Sequence, residues 1–137
     1  MVEKVVQAAG GDVSGKKIGV LGLTFKANTD DMRYSPSLVV VPELLKKGAV
    51  IQAYDPVGMD EAKKQLPVDE ITWCDSIMDA SKSADLLVIV TEWEEFESLP
   101  FSALKSVMAQ PVIVDLRNLY AKEFVENQEF AYLSVGR

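Results

Sequence analysis

The chain has 137 residues, 48% of them hydrophobic and 26% charged, which is enough for one domain with its own core and excludes a disordered tail. No apolar run approaches the roughly 20 residues that cross a bilayer, and 14 Lys and Arg against 21 Asp and Glu leave a net charge of −7 that repels nucleic acid. With no histidine and a single cysteine, Cys74, there is no imidazole base, no disulfide and no thiolate-rich zinc site, so neither a histidine-dependent triad nor a metal centre is expected.

The first twelve residues put Val2, Val5, Val6 and Ala9 on one helical stripe before Gly10-Gly11, which reads as a short helix ended by a breaker. Residues 1–14 are expected to be the end of a preceding helical region, with the domain proper over 15–137. The start Met1-Val2-Glu3-Lys4 has no basic and apolar leader, and together with the cysteine usage this points to the cytoplasm.

Residues 17–23 (KIGVLGL) form a short apolar run of the kind buried on both faces of a parallel sheet. A polar loop follows. Ser35-Pro36 then offers a capping hydroxyl and a proline at the first helical position, and the helix runs over 38–47 to Gly48. A second strand at 50–54 closes on Asp55-Pro56, and 59–66 reads as a charged short helix. Residues 70–73 are a weak third strand, and Asp75 is the expected cap of a helix through Ser83. The most apolar run, 86–90, is the expected central strand. Beyond it come a helix opening over 92–97, a helix over 101–109, a strand at 112–114, a helix over 122–126 and a last strand over 130–135. Strand and helix alternating in this way imply a Rossmann-like α/β fold: an open parallel sheet with helices on both faces.

Ligands of such sheets sit beyond the carboxyl ends of the strands, where the strand order reverses. The loop after the first strand carries Lys26 and Arg33, and the loop after the fifth carries Arg117, so three cations can meet at one edge and seat a small anion such as a diphosphate. The competing reading pairs Lys26 and Arg33 with Asp30, Asp31 or Glu43 as a solvated network. Gly19 and Gly22 give G-x-x-G and not G-x-G-x-x-G, and Asp55 lies too far on for the dinucleotide spacing. Those glycines read as packing positions and Asp55 as support for its turn. Cys74, beside Asp75 and without a base, reads as structural. Thr91-Glu92-Trp93 also falls at the ligand edge, with the indole either a pocket wall or packing.

Gly22-Leu23-Thr24-Phe25-Lys26-Ala27-Asn28-Thr29-Asp30-Asp31-Met32-Arg33-Tyr34-Ser35-Pro36 resembles the first loop of the C-terminal domain of the UDP-glucose/GDP-mannose dehydrogenase family. Ala53-Tyr54-Asp55-Pro56, Val90-Thr91-Glu92-Trp93-Glu94-Glu95-Phe96 and Val114-Asp115-Leu116-Arg117-Asn118-Leu119-Tyr120 follow in the family's order, and residues 132–137 resemble its closing segment. The resemblance implies a UDP-sugar-binding domain separated from an N-terminal NAD-binding half, in an oligomeric enzyme. That enzyme oxidises the sugar's C6 alcohol to a carboxylate in two steps with NAD, through a thioester on a cysteine of the other half. It implies no catalytic residue here. Phe25, Lys26 and Arg117 are implied to face the substrate, and Arg33 to face NAD. For Phe25 the alternative is a loop aromatic filling a core gap, and for Arg117 an ion pair with Asp115. Residues 28–33 are similar to the form in the UDP-glucose-oxidising members, which favours UDP-glucose over GDP-mannose or UDP-N-acetylmannosamine. A nucleotide-sensing module without catalysis is the reading from a different class.

Overall fold

A computed structural model describes residues 1–135. The helices are α1 (Val2–Ala8), α2 (Ser37–Lys46), α3 (Met59–Gln65), α4 (Ile77–Ser81), α5 (Phe101–Val107) and α6 (Lys122–Glu126). The strands are β1 (Lys17–Leu21), β2 (Val50–Tyr54), β3 (Ile71–Trp73), β4 (Leu86–Ile89), β5 (Val112–Asp115) and β6 (Ala131–Ser134). They form one six-stranded sheet in the order β3-β2-β1-β4-β5-β6, with every pairing parallel. This is the doubly wound order, and it reverses between β1 and β4.

The pleat explains why β4 has no polar residue. Leu86 and Val88 join Val5, Val40, Val41, Leu44 and Ala62 in one core layer, under α1, α2 and α3. Leu87 and Ile89 point the other way and join Ile77, Ala80, Leu104 and Val125 under α4, α5 and α6. Both faces of the strand are covered, so each successive side chain must be apolar. Gly19 permits the close seat of α4 on β1, because a Cβ there would stand 2.5 Å from Leu87 Cδ2 and 2.6 Å from the Ala80 carbonyl oxygen.

Residues 1–14 are part of this packing: Val5 and Val13 are buried in the same layer as Ile18 and Val20. At α2, Pro36 already has helical dihedrals (φ −56°, ψ −26°), and the Ser37 N–H donates to Ser35 Oγ at 3.2 Å. The helix cap at the fourth helix is Ser76, not Asp75: Ser76 Oγ accepts from Asp79 N–H at 3.0 Å, and the Asp75 N–H donates to Asp79 Oδ2 at 3.2 Å. The Ser76 backbone is extended (φ −160°), as a capping residue requires. The segment expected as a helix over 92–97 is a short 3-10 helix, Glu94–Ser98. Of the closing segment 132–137, Gly136 and Arg137 lie outside the described residues. Among the described residues no helix is long and apolar enough to cross a membrane.

Candidate functional site

The loop over 22–36 leaves β1 at the point where strand order reverses. Gly22 starts it in a left-handed conformation (φ +92°), and a Cβ there would fall 2.6 Å from the Thr91 Cβ, so both backbone and space require glycine. The Phe25 N–H donates to the Asp31 carbonyl at 2.8 Å and folds residues 25–31 into a closed bend. Asn28 (φ +65°) and Tyr34 (φ +61°) hold two further left-handed positions in the same loop. Behind the bend, Ser35 Oγ and Ser37 Oγ each lie 2.6 Å from the Leu23 carbonyl and anchor the loop to the start of α2.

Asp55, at the end of β2, is 1% exposed and fully engaged. Its Oδ2 accepts from Leu23 N–H (2.7 Å), Thr24 N–H (3.2 Å) and the Trp93 indole N–H (3.2 Å), and its Oδ1 accepts from Val57 N–H (3.0 Å) and Gly58 N–H (2.7 Å). In a dinucleotide-binding fold the acid after the second strand reads a ribose hydroxyl. Here its lone pairs are taken by the protein, which ties three loops together. Trp93 is therefore a tie to Asp55 more than a wall.

Asp115 plays the same part at the end of β5. It is fully buried and accepts from Arg117 N–H (2.9 Å), Leu119 N–H (2.7 Å) and Tyr132 OH (2.7 Å). This turns the loop so that the Arg117 side chain leaves Asp115 and meets Glu92, with Nη2 2.6 Å from Oε2. The other oxygen of Glu92 accepts from the Ala27 N–H at 3.3 Å. One carboxylate thus joins the residue after Lys26 to Arg117, and the loops after β1 and β5 converge above β4. The expected alternative for Arg117, an ion pair with Asp115, is replaced by this contact. Glu92 itself was read from sequence only as one residue of a tripeptide at the edge.

Lys26 is exposed, and Phe25 is 39% exposed, so the phenyl ring fills no core gap. Arg33 makes the surface pair that its spacing allowed: Nε and Nη2 lie 3.1 and 3.0 Å from the Asp31 carboxylate, and the arginine side chain is 83% exposed. The Arg33 guanidinium holds the Asp31 carboxyl below the usual range, with Lys26 adding a smaller pull in the same direction. Lys26, Arg33 and Asp31 are therefore neighbours in one bend. One concavity in this bend is lined by Thr29, Asp31, Arg33 and Glu61, without Lys26 or Arg117; another lies apart from these cations, between α1 and α2.

Cys74 is 3% exposed, and burial, with Asp79 and Asp75 adding to it, pushes its thiol up to about 11. A thiol held protonated and out of reach is no nucleophile at neutral pH. Among the described residues no group of acidic and cysteine side chains is arranged to hold a metal ion.

Fold and site together define a Rossmann-like α/β domain whose acid after the second strand is taken up by donors of its own chain and whose loops after β1 and β5 carry basic residues at the strand ends. The model of the UDP-glucose/GDP-mannose dehydrogenase family, UDP binding domain, matches residues 19–122, and the chain belongs to that family. It is 50% identical over 137 residues to a UDP-glucose 6-dehydrogenase of Rhizobium meliloti (strain 1021), covering 100% of this chain and 31% of that protein. It is 42% identical over 136 residues to a UDP-glucose 6-dehydrogenase of Rickettsia conorii, covering 99% of this chain and 32% of the relative. Among solved structures, a UDP-glucose dehydrogenase from Pyrobaculum islandicum aligns with a TM-score of 0.75 at 30% identity, over 98% of this chain and 29% of that one. The chain therefore spans about a third of the length of the relatives it matches.

Proposed function

We propose that this chain is the C-terminal, nucleotide-sugar-binding domain of an NAD-dependent UDP-glucose 6-dehydrogenase, an oligomeric cytoplasmic enzyme that converts UDP-glucose to UDP-glucuronate. The supporting observation is the Glu92 carboxylate, which holds Ala27 N–H at 3.3 Å and Arg117 Nη2 at 2.6 Å and so brings Lys26 and Arg117 to one rim. In this reading Phe25 lies against the sugar nucleotide, and Lys26 and Arg117 bind its diphosphate from two sides. Charge-assisted contacts of this kind contribute about 1.5–3 kcal/mol each.

NAD does not fit this domain as a dinucleotide fold would hold it, because Asp55 is saturated by protein donors and the glycine fingerprint is missing. What fits is a contact at the rim: Arg33 uses Nε and Nη2 on Asp31, keeps the rest of its fork exposed, and can reach a phosphate of NAD held by the partner half. When bound, NAD accepts the hydride. This chain binds and orients the sugar nucleotide and, with Cys74 buried and protonated, supplies no covalent chemistry.

The test is Lys26→Ala in the full-length enzyme. Loss of one charge-assisted contact lowers kcat/KM for UDP-glucose by about 10- to 150-fold. Unchanged kinetics remove the assigned role, and a preference for GDP-mannose or UDP-N-acetylmannosamine over UDP-glucose overturns the choice of sugar.

A further inference from the structure

Three consecutive side chains after β4 each grip the loop that carries Phe25 and Lys26, or the buried acid beneath it. Thr91, fully buried, donates from Oγ1 to the Thr24 carbonyl at 2.7 Å. Glu92 accepts from the Ala27 N–H at 3.3 Å and pairs with Arg117 at 2.6 Å. Trp93, 7% exposed, donates from its indole to Asp55 Oδ2 at 3.2 Å, the oxygen that also accepts from Leu23 and Thr24 N–H. Directly at residues 24 and 27, and through Asp55 at residues 23 and 24, the grips fall on both sides of the Phe25-Lys26 pair. That pair itself is exposed.

Packing alone does not require this pattern. A buried strand end is satisfied by apolar residues, and Val90 just before the tripeptide is one. Thr91 instead directs its hydroxyl to the loop after β1, across the point where strand order reverses and a ligand is expected, and Trp93 directs its indole N–H to Asp55, whose same oxygen holds Leu23 and Thr24 of that loop. We infer that Thr91, Glu92 and Trp93 are positioning residues: they fix the backbone flanking Phe25-Lys26 and the head of Arg117 so that the diphosphate seat is formed before the nucleotide arrives. The advantage is entropic, since a loop ordered in advance loses less freedom on binding. This inference rests on the substrate roles proposed above for Lys26 and Arg117.

The test uses the full-length enzyme with UDP as the probe. Thr91→Val keeps the volume and removes the donor; Trp93→Phe keeps an aromatic ring and removes the indole N–H. Each is expected to weaken UDP binding, measured by calorimetry, by about fivefold, the equivalent of one neutral hydrogen bond, and Thr91→Ser, which retains Oγ1, restores it. The discriminating readout is coupling. Lys26→Ala should cost less UDP affinity in the Thr91→Val/Trp93→Phe background than in the parent, because a misplaced ammonium has less to lose. A double variant that stays folded with parental UDP affinity, or a Lys26→Ala loss that is the same in both backgrounds, overturns the positioning role while leaving the substrate seat standing. If Lys26→Ala and Arg117→Ala in the parent both leave UDP affinity unchanged, the seat falls, and the positioning role with it.

Discussion

Replacing Asp55 by Asn tests whether this acid is a structural tie or a ligand reader. The substitution keeps the shape and exchanges one carboxylate oxygen for an N–H2 group. If the amide nitrogen takes the Oδ2 place, Leu23, Thr24 and Trp93 lose an acceptor; if it takes the Oδ1 place, Val57 and Gly58 do. In either orientation at least two N–H groups face another donor, each at about 1–3 kcal/mol when buried. The bonds that survive fall from the charged range of ~1.5–3 kcal/mol to the neutral range of ~0.5–1.5. Relief of the carboxylate's desolvation offsets part of this, which leaves a net loss of at least about 3 kcal/mol, a large fraction of a typical domain stability of ~5–15 kcal/mol. Urea unfolding of the 137-residue chain, followed by the fluorescence of its two tryptophans, reads this as a lower midpoint. At about 3–4 °C per kcal/mol, Tm should fall by roughly 10 °C. An Asp55→Asn chain with parental stability would refute the tie.

Gly22→Ala should destabilise the chain by about 2 kcal/mol or more, read from the urea midpoint, because the new Cβ meets Thr91 at 2.6 Å and φ is +92°; a neutral result would show that the loop can move. Cys74 should react slowly with a thiol reagent at pH 8 in the native chain and rapidly in urea. Its folded pKa of about 11 exceeds the ordinary thiol value of 9.0, so the protonated thiol contributes stability in full below pH 9, and that contribution is lost between pH 9 and 11. Cys74→Ser should flatten the alkaline fall in Tm across that window.

The strands were legible because burial on two faces demands unbroken apolar runs, and 17–21, 86–89 and 112–114 contain nothing else that a helix period would explain, apart from Lys17 at the exposed start. Helix ends were less legible. Asp75 and Ser76 are both good caps, and only the folded geometry, an extended Ser76 backbone with Oγ accepting from Asp79 N–H, decides between them. The rim was legible as three cations in two loops. Their partners were not, because Arg117 chooses between Asp115, two residues away, and Glu92, twenty-five residues away, according to a turn that the Asp115 carboxylate itself dictates through the Arg117 and Leu119 N–H groups. Asp55 was recognisable as a turn former at the wrong spacing for a dinucleotide. Nothing local in its sequence told that an indole thirty-eight positions on would share its oxygen.

The packing of α1 against β5 and β6 sets an order of events. Val5 is made before the strands that α1 covers. A nascent polypeptide therefore carries this valine without its final shelter until residues past 130 have left the ribosome. Halting synthesis before that point should leave α1 open to protease, and release of β6 should close it.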